Sequence, residues 1–311
     1  MLIATLPPVH LEGLIEEIVA HPLVGGVRYN LGAYSAFSPK ETLERILSHT
    51  KEHGKKFWLD IKGRQLRINR WTMAGLGRAE LNHSVAVDLP ARVYFRGGDW
   101  CDIKMIKGNV IYFDSLPKYA LGEGQALNIV GENLEIDGYL TEDDLEYLSA
   151  AGPLGIKNYM LSFVEGDQDV ADVEEILGPH FDWTELEMVL KIESPEGMKF
   201  VELLSSKEIY KGYRFMAARD DWFVNTTPKP KILKDLKELV RVDPNAILAS
   251  HIFGGLEKSG LVSMADYSDL YLMRQFGYRN FMLSDGVSIR HFDKAILAWQ
   301  EFIEEFPEDE Q

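Results

Sequence analysis

The sequence predicts an α/β fold, a TIM (β/α)8 barrel with a small all-β segment inserted after its third strand. Three observations predict it. Short apolar runs alternate with amphipathic helical patterns over most of the 311 residues, and the count reaches eight of each. That rhythm stops between about Ile68 and Asp137, where no helical period occurs and short β-type runs are separated by glycine turns. Polar and charged side chains recur at the C-terminal ends of the apolar runs, where such a barrel carries its functional groups.

Leu2–Thr5 opens the chain as a strand, and His10–Ala20 follows as a helix with Leu11, Leu14, Ile15 and Ile18 on one face. Val24–Asn30 is the second strand. Ser38, Pro39 and Glu41 then supply an N-cap hydroxyl, a proline at the first helical position and an acidic first turn, and Gly54 stops that helix after His53. Lys56–Ile61 is the third strand. The break contains Val85–Leu89, Arg92–Phe95 and Val110–Phe113, with turns expected at Gly97-Gly98-Asp99 and Lys107-Gly108-Asn109. The barrel is therefore expected from residues 1–67 and 138–311, and a lid-like β-rich insertion over 68–137. After Tyr139, Thr141-Glu142-Asp143-Asp144 opens a helix, Ile156–Phe163 is a strand, Val170–Leu177 a helix and Glu187–Glu193 a strand. A helix from Pro195, a strand at Arg214–Ala218, a helix at Lys231–Val240 and a strand at Ile247–Ser250 follow. The last unit is a helix at Ala265–Phe276, a strand at Asn280–Ser284 and a helix at Ser288–Phe302; Glu304–Gln311 is expected as a solvated end.

Composition narrows the function. With 33 basic and 49 acidic residues the formal charge is −16, which disfavours a nucleic-acid or anionic-membrane partner. An anionic ligand then needs a locally basic site. Cys101 is the single cysteine, so no intramolecular disulfide forms and a reducing compartment fits. Residues 1–8 lack the basic start and apolar core of a signal peptide, and no run approaches ~18 apolar residues, so a cytoplasmic, soluble protein is expected. The eight histidines show no zinc-type spacing beyond His49 and His53 at i, i+4; His251, beside Ser250, is the one positioned to reach a strand-end site.

The strand-end groups are Arg28 and Asn30 after the second strand, Asp60 and Lys62 after the third, Lys191 and Glu193 after the fifth, Arg219 and Asp221 after the sixth, and Ser250 after the seventh. Charges at the ends of buried strands require something to neutralise them. Lys191 and Glu193, with Asp221 one βα unit later, suit a divalent cation held against an anionic substrate. Plainer readings stand beside this one: Lys191–Glu193 as a structural ion pair, Asp221 as a helix cap, Arg28 and Asp60 as mutual partners, Ser250 as a turn former.

Taken in order, a set of short segments resembles the pyruvate kinase family. They are Ala4-Thr5-Leu6-Pro7-Pro8, Val27-Arg28-Tyr29-Asn30, Leu59-Asp60-Ile61-Lys62-Gly63, Leu140-Thr141-Glu142-Asp143-Asp144, Ser162-Phe163-Val164, Lys191-Ile192-Glu193, Ala218-Arg219-Asp220-Asp221 and Met282-Leu283-Ser284. The β-rich break falls where that family carries its mobile lid, and no counterpart of its C-terminal regulatory domain follows the eighth helix. The resemblance implies that Glu193 and Asp221 bind Mg²⁺ or Mn²⁺, that Lys191 faces a phosphoryl group in transfer, and that Arg28 clamps phosphate. It puts Ser250 in place of a threonine near the proton relay, and Asn30, Asp60, Lys62, Arg67, Arg219 and Asp220 around the substrate. It also implies a phosphoenolpyruvate- or pyruvate-like substrate, ADP or ATP where transfer is retained, and a homo-oligomer, dimer or tetramer.

The departures carry information too. Asp220 replaces a glycine, Gly32 a serine and Ile61 a threonine, and Arg64-Gln65 lacks the glutamate that accompanies potassium dependence in the family. K⁺ is therefore expected not to be required, with a fixed cation such as Arg64 in its place. Ser284-Asp285-Gly286 stands for Ser-Gly-Glu, and Ser250–Ser263 is remodelled. The expected function is a metal-dependent enzyme of the phosphoenolpyruvate/pyruvate type, transferring a phosphoryl group. A pyruvate-enolate lyase or aldolase on the same barrel and a non-catalytic ligand-binding protein are the alternatives.

Overall fold

Apolar runs too short for helices pair side by side, and the amphipathic segments between them return the chain to the start of the next run. Strands β1 (Leu2–Thr5), β2 (Val24–Asn30) and β3 (Lys56–Ile61) coincide with the expected segments, separated by helices α1 (Glu12–Ala20) and α2 (Pro39–Glu52). The computed structural model describes residues 1–33, 35–95, 99–206 and 213–307.

Between β3 and the next barrel element lie β4 (Arg78–Glu80), β5 (Val85–Ala86), β6 (Arg92–Phe95), β7 (Asp99–Lys107), β8 (Val110–Phe113), β9 (Leu127–Val130) and β10 (Glu135–Ile136). They form a five-stranded sheet in the order β4-β8-β7-β6-β9 and a two-stranded sheet of β10 and β5, every pair antiparallel. Val93, Phe95, Cys101, Ile111 and Ile129 belong to a buried cluster separate from that of the barrel. Cys101 is thus a packing residue, and burial pushes its thiol pKa up. The expected Gly97-Gly98 turn lies outside the described residues.

Helix α3 (Glu142–Ala151) then resumes the alternation with β11 (Asn158–Leu161), α4 (Asp167–Leu177), β12 (Glu187–Ile192), α5 (Pro195–Ser206) and β13 (Tyr213–Ala218). It continues through α6 (Arg219–Asn225), α7 (Lys231–Val242), β14 (Ile247–Ala249), α8 (Gly254–Ser259), α9 (Met264–Phe276), β15 (Asn280–Met282), α10 (Asp285–Arg290) and α11 (Phe292–Glu305). Eight parallel strands close in the order β1-β15-β14-β13-β12-β11-β3-β2. This is the expected TIM-type barrel. Helices α6 and α8 have no counterpart in the sequence reading, because six or seven residues are too few to display a helical period. Several expected boundaries shift. Leu11 has non-helical backbone and delays α1; His291, at φ −142°, divides the last expected helix into α10 and α11; and β14 and β15 end short of Ser250 and Ser284. Among the described residues no helix is long and apolar enough to cross a membrane.

Side-chain alternation sorts each strand into one face toward the helices and one toward the barrel axis. Ile3, Trp58, Met160, Val189, Met216 and Ile247 belong to a cluster of their own inside the barrel. Gly26 makes room there, since a Cβ at that position would collide with the Trp58 ring. The Trp58 indole N–H donates to Glu187 Oε1 at 3.0 Å, so the large ring carries no orphaned donor. Two residues farther along their strands, on the same face, stand Thr5, Asp60, Ser162 and Lys191. The apolar plug is the floor of whatever lies above it.

Asp144 ties the entry of α3 to the end of β3. Its carboxylate accepts from Thr141 N–H at 3.0 Å, completing a capping box, and from the backbone N–H groups of Lys62 and Gly63 at 2.8 and 3.1 Å. Asp144→Ala should cost about 2–3 kcal/mol, because a cap is lost and buried donors lose their acceptor together. A shift of the urea midpoint at unchanged m-value measures it, and a loss below about 0.5 kcal/mol would contradict the assignment.

Candidate functional site

Asp60 is the hub at the barrel mouth. It is 2% exposed and accepts from Arg28 Nε at 2.6 Å and from Arg28 Nη2, from Lys191 Nζ at 3.3 and 3.4 Å, and from Ser162 Oγ at 3.4 Å. Lys191 also donates to Ser162 Oγ at 2.7 Å and pairs with Glu193 Oε1 at 3.5 Å. Arg28 Nη1 reaches Thr5 Oγ1 at 3.1 Å and Asp285 Oδ2 at 3.4 Å. Burial opposes the Arg28 charge, but Asp60 and Asp285 outweigh it and hold the guanidinium pKa above its ordinary value. A cation this deep stays charged only with such partners.

Glu193 is the perturbed group. Its Oε2 accepts from the Phe163 backbone N–H at 2.7 Å, a contact made from a residue at φ 51°. Burial pushes its pKa up to about 7, with the negative charges of Asp221 and Asp60 adding to the rise and Lys191 and Phe163 opposing it. Asp221 does not stand on the strand end but in the first turn of α6. Its Oδ1 accepts from Asn128 Nδ2 at 2.8 Å and its Oδ2 from Gln65 Nε2 at 3.5 Å. Asn128 belongs to β9, so the insertion touches the site directly. Asn225 Nδ2 closes the contact, reaching Asn128 Oδ1 and the Glu193 carbonyl, both at 3.1 Å.

These residues line a cavity of about 850 Å³ between the barrel mouth and the insertion. Arg28, Asn30, Asp60, Lys62, Arg67, Lys191, Glu193, Asp220, Asp221 and Ser250 all face it. Asn30 holds its own turn through Gly32 N–H at 2.9 Å, and Lys62 Nζ pairs with Asp143. Two cations stand elsewhere than expected. Arg219 does not line the cavity; its guanidinium pairs with Asp269 at 2.7 and 2.8 Å and donates to the carbonyls of Ala249 and Ser250 at 2.6–3.3 Å. It is a clamp on the loop after β14, drawn there by Asp269 on α9. Arg64 points away, paired with Asp169 and Glu165 at the start of α4, so it does not supply charge at the cavity. Arg67 takes that place: its guanidinium packs over Gly32, where a Cβ would lie 2.6 Å from Nη1. It is held by Gly124 O at 2.7 Å and by Gln65 Oε1.

Sequence reasoning missed Ser162, Thr5, Gln65 and Asn128 as site residues. For the first two the signal was available, since each lies one strand period beyond an interior apolar residue. For Asn128, across the insertion, none was. The protein donors alone do not make up a metal site. Among the described residues, no group of three or more His, Cys, Asp or Glu side chains is placed to hold an ion. Yet burial, and after it the charge of Asp221, raises the Glu193 pKa, and a cation that took substrate and water oxygens into its shell would relieve the repulsion between the two carboxylates.

No protein-family model and no curated protein matches this chain.

Proposed function

We propose that this protein is a divalent-metal-dependent enzyme of the phosphoenolpyruvate/pyruvate class that acts through the enolate of a pyruvate-type 2-keto acid, as a lyase or aldolase does. The observation that carries this reading is the neutralisation of Arg28: Asp285, at a position where the resembled family has glycine, joins Asp60 on the guanidinium. A phosphate dianion placed against Arg28 would meet two carboxylates. A keto acid brings a single negative charge, and Glu193 and Asp221 are the groups that would hold the cation it shares. Such a cation, when bound, supplies Lewis-acid stabilisation to the enolate oxygen. Lys191 adds a fixed ammonium beside the same oxygen, in a pocket floored by apolar side chains that keep the local dielectric low. The insertion lines one side of the cavity through Tyr94, Phe95 and Asn128.

Pyruvate kinase-like phosphoryl transfer is the second reading, favoured by Lys62, Arg67, Lys258 and Arg290, which line the same cavity as Lys191. Two assays separate the readings. Deuterium exchange at the methyl group of pyruvate in D₂O with Mg²⁺ reads enolisation; ADP-dependent pyruvate formation from phosphoenolpyruvate reads transfer. Exchange without transfer supports the enolate enzyme. Transfer at an appreciable rate favours the second reading, and Lys191→Met should then cost transfer far more than exchange. Neither activity would leave only a ligand-binding role.

Arg67 over Gly32 supports independence from monovalent cations, because a resident guanidinium stands at the position where the family has a serine that binds potassium. Whichever reaction is found, its rate in KCl should equal that in NaCl at matched ionic strength within about twofold. Strong activation by KCl would exclude this role for Arg67.

A further inference from the structure

The loop after β14 breaks backbone rules. Ser250, His251 and Phe253, none of them glycine, have φ of 63°, 60° and 56°. Left-handed backbone in residues with a Cβ is strained and persists where the surroundings hold it. Arg219 braces the start of this loop, donating to the Ala249 and Ser250 carbonyls while Asp269 holds its guanidinium. The His251 ring follows directly on the braced residues. Its Nε2 lies 2.8 Å from Asp220 Oδ1, both side chains are about half exposed, and both face the cavity that holds Lys191, Glu193 and Asp221. Arg219 sits next to Asp220 in the chain and bonds the carbonyl of Ser250, next to His251, so the backbones that carry the two halves of the pair are tied together.

We propose that His251 carries the proton to and from the substrate carbon beside the carbonyl, and that Asp220 is the positioning residue that orients its ring. The inference rests on the enolate reading above. With Nε2–H donating to Asp220, the lone pair lies on Nδ1. In the forward step the C–H bond breaks, its proton bonds to Nδ1, the electron pair forms the enolate C=C bond, and the carbonyl π pair moves to oxygen. The imidazolium formed is stabilised by Asp220. Protonation of the enolate carbon reverses each change, so no oxidant or reductant is needed. Two other groups on the cavity are more deeply engaged: Lys191 is hydrogen-bonded to Ser162 and Asp60, and Glu193 accepts from Phe163 and pairs with Lys191, both side chains being buried.

The test uses the full chain with Mg²⁺ and pyruvate as the probe, following methyl-proton exchange in D₂O by NMR. His251→Gly, which suits the left-handed backbone, should lower the maximal exchange rate about a hundredfold or more with KM within about threefold, and added imidazole should restore about tenfold or more of the loss. Asp220→Gly should lower it about tenfold and move the imidazole ¹⁵N shifts away from the Nε2–H tautomer. Wild-type exchange that persists undiminished in His251→Gly overturns this assignment and leaves the enolate reading intact. A wild type without exchange overturns the enolate reading and the assignment with it. A wild-type spectrum with the proton on Nδ1 overturns the role of Asp220.

Discussion

Glu193→Gln combined with Asp221→Asn should abolish Mn²⁺ binding in calorimetric titration while far-UV circular dichroism and the unfolding midpoint stay near wild type or rise. Two neutral amides conserve the shapes of the carboxylates, and the amide oxygen introduced in place of the Glu193 carboxylate can still accept from the Phe163 N–H. The wild type carries its own pH signature. Glu193 is pushed up to about 7 by burial first and by Asp221 next, so below that pH a cation must displace a proton. Mn²⁺ affinity should fall about tenfold per pH unit below 7 and level off above it. Stability moves the other way. A carboxyl whose folded pKa is raised holds a proton that the unfolded chain has released, so its contribution declines as pH climbs from the unfolded value of 4.5 to about 7. The single variant Glu193→Gln should accordingly be more stable than wild type by about 2–4 kcal/mol at pH 8, a gain that vanishes below pH 4.5. Unchanged Mn²⁺ affinity in the double variant would remove the metal site.

Asp60→Ala should be the most destabilising single change at the mouth. It leaves Arg28, 7% exposed, and Lys191, 6% exposed, without their shared counter-charge, and Ser162 without one partner. Removing one member of a buried ionic group costs about 3–5 kcal/mol, since the remaining cations stay desolvated. Asp285 on Arg28 and Glu193 on Lys191 keep the loss toward the lower end. Denaturant unfolding measures it, and a cost under about 1 kcal/mol would mean that water reaches the cluster.

The fold was legible because the apolar runs and their spacing are properties of local sequence. β1, β2 and β3 fell where period and turn signals put them, and Ser38 and Thr141 capped the helices they were expected to cap. What failed depends on tertiary packing. The seven-residue α6 carries no period, so Asp221 was read as a strand-end residue when it is a helix-start residue. Arg64 and Arg219 illustrate a second failure: a long cationic side chain at a strand end reaches several partners, and which carboxylate wins is decided by α4 and α9, remote in sequence. The plain reading of Arg28 and Asp60 as mutual partners describes the contact correctly, and the pair lines the cavity as well. Asp285 was visible as a departure, but its effect on Arg28 required knowing that α10 begins beside β2.

The separate core of the inserted sheets bears on how the barrel assembles. β3 must find β11, its neighbour, through contacts such as Leu59 with Tyr159, about 100 positions apart. Closing a flexible loop of that length costs about 4 kcal/mol of chain entropy before any strand contact repays it. An insertion that condenses around Val93, Phe95 and Ile111 brings its two ends together and shortens that search. The segment that lines the cavity in the finished molecule is also a clasp in the nascent one, and loosening its core should slow folding of the barrel.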